Sequence, residues 1–504
     1  MLSPWNLCSY CCRRFLSPLR LSCNVTFGLC RPLSYGSRNC KQNDFFKDLD
    51  REFVKFHKKL MESLPSSSWS PFKSTDHLAP ERADIVIIGG GVIGWSIAYW
   101  LKQKERIRDG VKVLVVERDP TYSQASTVLS VGGIRQQFSM PENIQMSLYS
   151  AYFLRSINEH LGIVNEDPID IQFNPSGYLF LADENKAALL EENVGIQRSN
   201  GAEVALLGPQ QLKKKFPWIN TEGVALASYG LENEGWFDPW LLLNAFRQKA
   251  LSMGVYQTHG NVTGFEFLVR EMVTRSGDPV TFRRVKIVNV QAPRSLETQP
   301  VECSIVVNAA GPWSGKVAEM ATIGSGPPDT LAGIKIPVEP RKRFVYVFHC
   351  YDGPGLNCPL LIDNTGAYFR REGVGGNYIG GLSPDEEEPN ISDLNVDYEF
   401  FHQKLWPKLA HRVNAFESLK VKGGWAGYYD YNTFDQNAIL GNHPLVENMF
   451  LATGFSGHGL QQSPAVGRAI AELILDGGYE TLDLNVFSFK RFYTGEKALE
   501  RNII

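Results

Sequence analysis

The chain has 504 residues, of which 43% are hydrophobic and 21% are charged, and its formal net charge is −3 at pH 7. This length and composition suffice for a large buried core and predict two globular domains or one complex domain. The near-neutral charge, without a basic stripe interleaved with aromatic residues, excludes a nucleic-acid binder.

Residues 1–43 have the composition of a mitochondrial presequence, with arginines and serines and no acidic residue before Asp44. A disordered start is the alternative, and a secretory signal fits less well because no uninterrupted apolar segment follows the charges. The cysteines beyond this segment, Cys303, Cys350 and Cys358, are too scattered for a disulfide framework or a zinc site, so we expect no metal. We expect the protein in the mitochondrial matrix or at the matrix face of the inner membrane.

Residues 44–83 predict an amphipathic helix followed by a linker. Apolar residues recur at spacings of three and four between Phe46 and Leu64, with charged residues between them. Such a helix usually packs on its own domain, and docking on a partner or on a membrane surface is the alternative. Residues 65–80, rich in serine and proline, predict the linker.

The residues from Asp84 onward predict a dinucleotide-binding βαβ unit. A β-branched strand runs into G-x-G-x-x-G at Gly89, Gly91 and Gly94, and a helical pattern follows. Gly89 permits the tight turn, Gly91 lets backbone amides approach a pyrophosphate, and Gly94 lets helix and strand pack closely. Residues 85–101 are too short and too glycine-rich for a transmembrane helix, and we expect no transmembrane segment.

A second apolar strand ends at Glu117, about where an acidic side chain takes a ribose hydroxyl in such units. The carboxylate would repel the 2′-phosphate of NADP. The βαβ unit by itself therefore leaves FAD or NAD as the cofactor.

The rest of the chain alternates between strands and helices. Strands are predicted at residues 178–181, 255–262, 303–307 and 344–348, with a hairpin around residues 277–278. We expect an α/β (α+β) protein in which a Rossmann-type FAD-binding domain is interleaved with an antiparallel-sheet substrate domain. The predicted boundaries are 84–164, 236–330 and 421–490 for the first domain, and 165–235 and 331–420 for the second.

A glycine-rich turn follows a short strand near the end of the chain. It contains Gly454, Gly457, His458 and Gly459, and an apolar helix is predicted directly after it. The positive end of that helix dipole suits a developing negative charge such as that of a reduced flavin. This observation favours FAD over NAD.

These motifs together resemble the D-amino-acid oxidase superfamily of FAD enzymes. The resemblance includes Arg135 after two glycines and the Thr433-x-Asp435 pattern, and it runs from about Asp84 to about Leu484. It is strongest for the branch of sarcosine oxidase, glycine oxidase, and sarcosine and dimethylglycine dehydrogenases. The resemblance implies FAD as the cofactor.

The resemblance also implies roles for individual residues. Arg135 matches the position that holds the substrate carboxylate, for which a guanidinium is a natural bidentate partner, and a structural arginine is the alternative. Ser126 and Thr127 match the turn over the flavin pyrophosphate, and Val262 matches the strand that reads the adenine. The candidate cofactor-binding residues are Gly89, Gly91, Val92, Gly94, Glu117, Arg118, Ser126, Thr127, Val262, Ala310, Gly311, Gly454, Gly457, His458 and Gly459.

Three departures from the family pattern change the expected chemistry. Residues 126–130 lack the histidine that tethers the flavin in sarcosine and dimethylglycine dehydrogenases, and Tyr428 stands where monomeric sarcosine oxidases have a cysteine. We therefore expect non-covalent FAD. Ile379 and Gln461 occupy positions that are lysines in the oxidases. Without these cations, a dehydrogenase is favoured over an oxidase.

The remaining polar candidates are ambiguous in the sequence. His458 has an unperturbed pKa near neutrality, yet flavin amine oxidation needs hydride loss more than a protein base, so a flavin-packing role is favoured. Asp430 and Asp435 are expected to be solvated loop acids. The candidate catalytic residues are Arg135, Tyr428, His458 and Gln461.

The expected function is that of a mitochondrial FAD-dependent oxidoreductase with an N-methyl or secondary amino acid as substrate. The resemblance extends to a mitochondrial branch associated with assembly of respiratory complex I, which implies complex I subunits or assembly factors as partners and a peripheral association with the inner membrane. The alternative is a catalytically silent flavoprotein scaffold for complex I subunits.

Overall fold

The computed structural model describes residues 79–273, 279–384 and 388–502. The expected presequence, the expected helix at residues 46–64, nearly all of the linker and the expected hairpin turn at residues 277–278 lie outside the described residues. In chain order the strands are β1 (Arg82–Ile88), β2 (Val113–Glu117), β3 (Gly133–Ile134), β4 (Tyr178–Ala182), β5 (Val204–Leu207), β6 (Leu226–Gly230), β7 (Gly235–Trp236), β8 (Tyr256–His259), β9 (Asn261–Val273), β10 (Pro279–Gln291), β11 (Thr298–Asn308), β12 (Val338–His349), β13 (Leu360–Ile362), β14 (Tyr368–Glu372), β15 (Asn377–Gly381), β16 (Lys420–Asn432), β17 (Ile439–Asn442) and β18 (Met449–Thr453).

Helices connect and cover these strands. They are named here by their residues. In chain order they are Val92–Lys104, Pro141–Arg155, Ile157–Leu161, Glu184–Ser199, Pro209–Lys215, Pro239–Ser252, Ser314–Met320, Tyr398–Phe400, the π-helical turn Phe401–Leu405, Trp406–Arg412, Gly459–Leu475 and Lys490–Thr494.

The first sheet has the strand order β17–β18–β11–β1–β2–β8. β1 pairs in parallel with β2 and β11, and the hairpin of β9 and β10 extends the sheet from β11. The central strands are covered on both faces, which explains why they are nearly continuous apolar runs. Ile85 and Ile87 of β1 enter the core on one face, while Val86 and Ile88 enter the core on the other. The predicted Rossmann-type fold is confirmed.

The helix Val92–Lys104 leaves the end of β1 and packs against the helix Gly459–Leu475. The hydroxyl of Ser96 donates to the carbonyl oxygen of Ser463 at 2.7 Å. Gly467 permits this approach, because a Cβ at that position would overlap Ser96 Oγ. The packing brings the glycine turns at the starts of the two helices to the same end of the sheet.

The second sheet has the strand order β16–β12–β15–β14–β13–β4–β6–β5. Its pairs are antiparallel except for β4 and β13, which run parallel. An aromatic-rich core that includes Phe344, Tyr346, Phe348 and Phe369 lies on one side of it. Its strands come from segments between those of the first sheet, as the predicted interleaving requires.

The predicted boundary at residue 421 divides the chain differently from the sheets. β16 (Lys420–Asn432), which that boundary assigns to the cofactor domain, is an edge strand of the second sheet. It pairs with β12 along almost its whole length, from Val338 opposite Asn432 to His349 opposite Lys420. Strand pairing over such a distance along the chain has no local signal in the sequence.

None of the helices in the described ranges is both long and apolar enough to cross a bilayer.

Candidate cofactor and substrate site

The turn between β1 and the helix Val92–Lys104 needs glycine for steric reasons. Gly89 has a φ of 107°, and a Cβ there would overlap the carbonyl oxygen of Ala309. A Cβ on Gly94 would overlap the carbonyl oxygen of Gly89. At Gly91 the nearest neighbour of a Cβ would be Thr127 Oγ1, at 3.4 Å. Gly89 and Gly94 therefore shape the turn, whereas the space in front of Gly91 is open.

Glu117, at the end of β2, is bonded to the same turn. Its Oε2 accepts a hydrogen bond from the N–H of Gly90 at 2.7 Å, and its Oε1 accepts one from the N–H of Asp119 at 2.9 Å. Burial raises the pKa of the Glu117 carboxyl, and the two N–H donors offset only part of this effect. A ribose hydroxyl bound by this carboxylate would lie beside the glycine turn.

Ser126 and Thr127 lie near the start of the first helix. The N–H of Val92 donates to Thr127 Oγ1 at 3.2 Å. Ser126 Oγ is buried and has no hydrogen-bond partner among the described residues. Because buried hydroxyls are nearly always paired, this orphaned group fits a polar ligand such as a diphosphate in front of the turn.

A cavity of about 670 Å³ begins at this turn and extends to the second sheet. Its size is in the range of cofactor and ligand sites. Gly94 and Gly454 belong to the two glycine turns but do not line the cavity. The predicted cofactor-binding residues that line it are Gly89, Gly91, Val92, Glu117, Arg118, Ser126, Thr127, Val262, Ala310, Gly311, Gly457, His458 and Gly459.

Three further side chains line the cavity near the end of β2, namely Arg118, Trp313 and Lys316. Of these, only Arg118 was predicted. Arg118 lies 4.8 Å and Lys316 lies 5.1 Å from the ring centre of Trp313. Trp313 also packs edge-to-face on Tyr428 at 5.6 Å. The hydroxyl of Tyr428 donates to the backbone oxygen of Ile391 at 2.7 Å. Tyr428 therefore lines the cavity while its hydroxyl is already bonded to the protein.

Asp430 is buried at the second glycine turn, so the expectation of a solvated loop acid was wrong. Its Oδ2 accepts a hydrogen bond from the N–H of Phe455 at 3.0 Å, and its backbone oxygen accepts one from Ser456. Burial raises the pKa of Asp430 to about 6. Asp435 is also buried, in an ion pair with Arg491 at 2.6 Å. Asp430 is buried because its strand, β16, pairs with β12, whereas Asp435 is buried in the turn that follows β16.

Arg135 is fully buried at the back of the cavity. Its guanidinium donates to the backbone oxygen of Gln137, to the backbone oxygen of Asn502 at 2.7 Å, and to His458. It also lies 4.1 Å from the ring centre of Phe138. The arginine that the resemblance assigns to a substrate carboxylate is thus held by acceptors of the protein itself, one of them near the end of the chain.

His458 lies beside Arg135, and both residues line the cavity. Its Nε2 is 3.1 Å from Nη2 of Arg135 and its ring packs edge-to-face on Phe138 at 5.1 Å. Burial, together with the charge of Arg135, lowers the pKa of His458 to about 3. The imidazole is therefore neutral at physiological pH, which suits a packing role better than proton transfer.

The two positions expected to carry oxidase lysines differ in location. Gln461 lines the cavity, and its Oε1 accepts a hydrogen bond from the N–H of Arg135 at 2.8 Å. Ile379 is buried within β15 and is not part of the cavity lining among the described residues. Of these two positions, only Gln461 therefore faces the cavity.

The second sheet contributes a cation that sequence reasoning missed. Arg343 on β12 lines the cavity and pairs with Glu388, and its Nη2 donates to the hydroxyl of Tyr429 at 3.0 Å. The available signal was the run Arg341-Lys342-Arg343 at the start of an aromatic strand, where alternation places the two arginines on one face. Arg343 thus adds a positive charge to the cavity that the sequence analysis did not include.

The structure also places the three cysteines. Cys303, Cys350 and Cys358 are buried free thiols. Over the described ranges, His, Cys, Asp and Glu side chains form no group of three that could hold a metal ion.

Comparison with known proteins identifies the family. Residues 84–473 match the model of the DAO family, described as FAD dependent oxidoreductase. The chain belongs to this family. FAD is its cofactor, and the glycine turn, the orphaned Ser126 hydroxyl and the cavity fit that cofactor.

Individual relatives are similar over most of this chain. The FAD-dependent oxidoreductase domain-containing protein 1 of Xenopus laevis is 71% identical, covering 94% of this chain and 96% of the relative. Mouse mitochondrial sarcosine dehydrogenase is 25% identical, and the mouse mitochondrial pyruvate dehydrogenase phosphatase regulatory subunit is 22% identical; the matches cover 87% and 81% of this chain but 44% of each relative. The crystal structure of L-proline dehydrogenase from P. horikoshii is 29% identical with a TM-score of 0.66, covering 83% of this chain and all of that one.

Proposed function

We propose that this protein is a mitochondrial FAD-dependent dehydrogenase of amines, with N-methyl or secondary amino acids as its substrate class. The observation that carries the proposal is the continuity of the cavity, which is lined by the dinucleotide turn at Gly91 and by Tyr178, Arg343 and Tyr368 of the second sheet. A substrate between the sheets would therefore share one enclosed space with the cofactor. Similarity to proteins named L-proline dehydrogenase and sarcosine dehydrogenase supports the substrate class, because proline and sarcosine are both secondary amines.

FAD, when bound, supplies the hydride acceptor. The residues of this chain bind and orient the substrate and exclude water, and apolar side chains of the second sheet, such as Val345, Leu360 and Ile362, line the cavity for that purpose. The Nε2 of His458 already accepts a hydrogen bond from Arg135, and the low pKa of the ring means that it takes up no second proton at neutral pH. We therefore expect the amine to react in its neutral form without proton transfer to His458.

The role of Arg135 as the carboxylate anchor stays a prediction from the resemblance. In the structure its N–H groups donate to Gln137, His458 and Asn502. A carboxylate at this position would have to replace protein acceptors in a fully buried setting, at the cost of leaving those acceptors unpaired.

An acceptor other than oxygen is the second part of the proposal. Gln461 puts an uncharged amide at a position where the oxidases carry a lysine, and the positive charge of Arg343 is opposed by Glu388. Both features reduce the electrostatic field that would favour transfer of an electron to oxygen.

A scaffold that assists assembly of respiratory complex I is the second candidate function, and it is compatible with the first. The resemblance to the mitochondrial branch and the presequence-like composition of residues 1–43 support it. Similarity to the mouse pyruvate dehydrogenase phosphatase regulatory subunit also supports it, because that relative is named for regulation and not for a reaction of its own. In this reading FAD is a structural element and the partners are complex I subunits or assembly factors in the matrix.

Anaerobic reduction separates the two candidates. Purified flavoprotein is mixed without oxygen with N-methylglycine, N,N-dimethylglycine or L-proline, and the flavin absorbance is followed. An enzyme of the proposed class loses its flavin absorbance with at least one of them. If photoreduction bleaches the flavin but no secondary or tertiary amino acid does, the amine dehydrogenase proposal is wrong and the scaffold reading remains.

A further inference from the structure

The charge pattern around Arg343 differs from that around Arg135. Nη1 of Arg343 donates to Oε2 of Glu388 at 2.6 Å, and Nη2 donates to Oε1 of the same carboxylate at 3.0 Å. This is the paired geometry in which a guanidinium binds a carboxylate most strongly. Arg343 is therefore already oriented to bind a carboxylate, and in the structure that carboxylate is the side chain of Glu388.

Arg343 also has unused donor capacity. Its Nε–H is buried, and no acceptor among the described residues pairs with it. Unpaired buried donors are rare and point to a missing partner. The arginine lines the cavity, so an acceptor that enters the cavity could supply that partner.

The position of Arg343 connects it to the cofactor end of the cavity. Its Nη2 donates to the hydroxyl of Tyr429 at 3.0 Å. The ring of Tyr429 in turn lies 3.8 Å from the place where a Cβ on Gly457 would be. One tyrosine thus separates the guanidinium from the second glycine turn.

The carboxylate of Glu388 is held less firmly than the acceptors of Arg135. Its side chain is 40% exposed, and it is shared between Arg343 and Arg341, whose Nη1 donates to it at 3.0 Å. Arg341 also pairs with Glu339 at 3.0 Å, so the two guanidiniums share two carboxylates. Because Glu388 is partly exposed, water can hydrate its carboxylate when another carboxylate takes its place, and the guanidinium of Arg343 stays paired throughout the exchange.

We propose that Arg343, together with Tyr429, anchors the carboxylate of the amino-acid substrate and that Glu388 occupies this anchor until the substrate displaces it. The inference rests on the proposed function for the identity of the substrate. It assigns the specificity for a carboxylate to the second sheet rather than to Arg135. No covalent or redox step is involved, since one carboxylate replaces another on the same guanidinium.

Methoxyacetate is a suitable probe because it has the shape of N-methylglycine, with an ether oxygen instead of the amine, and so cannot be dehydrogenated as an amine. Methoxyacetamide is its uncharged counterpart. Binding of each is measured on the FAD-loaded protein by calorimetry and by perturbation of the flavin spectrum. We expect methoxyacetate to bind and methoxyacetamide to bind at least about tenfold more weakly, as the loss of a charged hydrogen-bond partner predicts.

Three variants test the assignment. Arg343→Leu should raise the Kd of methoxyacetate by about tenfold to a hundredfold without loss of FAD. Glu388→Gln should lower that Kd severalfold, because the competing negative charge is gone. Arg341→Leu is the matched control, since Arg341 binds the same Glu388 but does not line the cavity. It should change the Kd by less than about threefold.

The possible contrary results are distinct. Unchanged binding to Arg343→Leu, together with lost binding to a folded Arg135→Lys protein, would return the anchor to Arg135 and overturn the proposal. Weaker binding to Glu388→Gln would show that Glu388 assists the anchor instead of competing for it. Absence of saturable methoxyacetate binding to the wild type would also overturn the proposal. If methoxyacetate binding depends on Arg343 but no amine reduces the flavin, the carboxylate anchor is supported and the proposed reaction is wrong.

Discussion

Nη2 of Arg135 lies 3.1 Å from Nε2 of His458, and this contact determines which nitrogen of the imidazole carries the proton. A guanidinium only donates, so Nε2 accepts and the proton of the neutral ring is on Nδ1. Burial and the nearby charge lower the pKa of His458 to about 3. The arginine and the histidine, 323 positions apart in the chain, thus form one hydrogen-bonded unit in the wall of the cavity.

His458→Gln should flatten the dependence of stability on pH in mild acid. The unfolded imidazole takes up a proton near pH 6.5, whereas the folded one does so only near pH 3. Between these values the unfolded state binds the extra proton, so the free energy of unfolding falls as pH falls, by about 1.4 kcal/mol per pH unit. Glutamine keeps an acceptor for Arg135 but does not titrate. Thermal unfolding midpoints across this range check the prediction, and parallel curves for the two proteins would contradict it.

Gly91→Val should abolish FAD binding without unfolding the protein. The added side chain has room in the structure, with its Cβ 3.4 Å from Thr127 Oγ1, but it fills the space in front of the turn that the pyrophosphate needs. The ratio of flavin to protein and the circular dichroism spectrum measure the two effects. Gly195→Val, at a helix surface where a Cβ would contact nothing within 4 Å, is the control and should retain flavin. Equal flavin content in wild type and Gly91→Val would show that the motif does not bind the cofactor.

The FAD should be non-covalent. Residues 126–130 contain no histidine, and Tyr428 replaces the linking cysteine of the oxidases. Acid precipitation of the purified protein should therefore leave intact FAD in the supernatant, identified by chromatography. Flavin that remains in the pellet after washing would disprove the prediction.

Glu500→Ala should destabilise the fold although it lies near the end of the chain. The buried carboxylate accepts hydrogen bonds from the N–H groups of Ser139 and Met140, at 2.7 and 3.2 Å, and from the side chain of Asn143 at 2.9 Å. Removing it leaves buried donors unpaired, and we expect a loss of about 1.5–3 kcal/mol in the free energy of unfolding. Chemical denaturation measures this loss. Glu496 is exposed, and Glu496→Ala should change the free energy of unfolding by no more than about 0.5 kcal/mol. An equal effect of the two substitutions would contradict the structural role of Glu500.

Reduced flavin in the wild-type protein should react slowly with oxygen. Gln461 brings no charge to the cofactor end of the cavity, and Glu388 opposes the charge of Arg343. Stopped-flow mixing of the photoreduced protein with air-saturated buffer gives the rate directly, and an artificial quinone acceptor provides the comparison. Reoxidation by oxygen as fast as by the quinone would identify an oxidase.

The first βαβ unit was predictable from the sequence because its signals are local. Gly89, Gly91, Gly94 and Glu117 lie within one strand–helix–strand segment, and the sterics that demand glycine at the turn act between residues close in the chain or in adjacent strands. The second glycine turn was predictable for the same reason. These segments determined the fold class and the cofactor.

The environments of the charged residues were decided only by the tertiary structure. Asp430 reads as a loop acid in the sequence and is buried because β16 pairs with β12. The sequence predicts Arg135 as an anchor for a substrate carboxylate, whereas in the structure it is bonded to Asn502, 367 positions later. Arg343 went unnoticed because its cavity position and its partner Glu388 follow from strand pairing and a connection after β15. Burial and ion pairing depend on which distant segments meet, and hydrophobic patterning specifies that a strand is buried without specifying its neighbours.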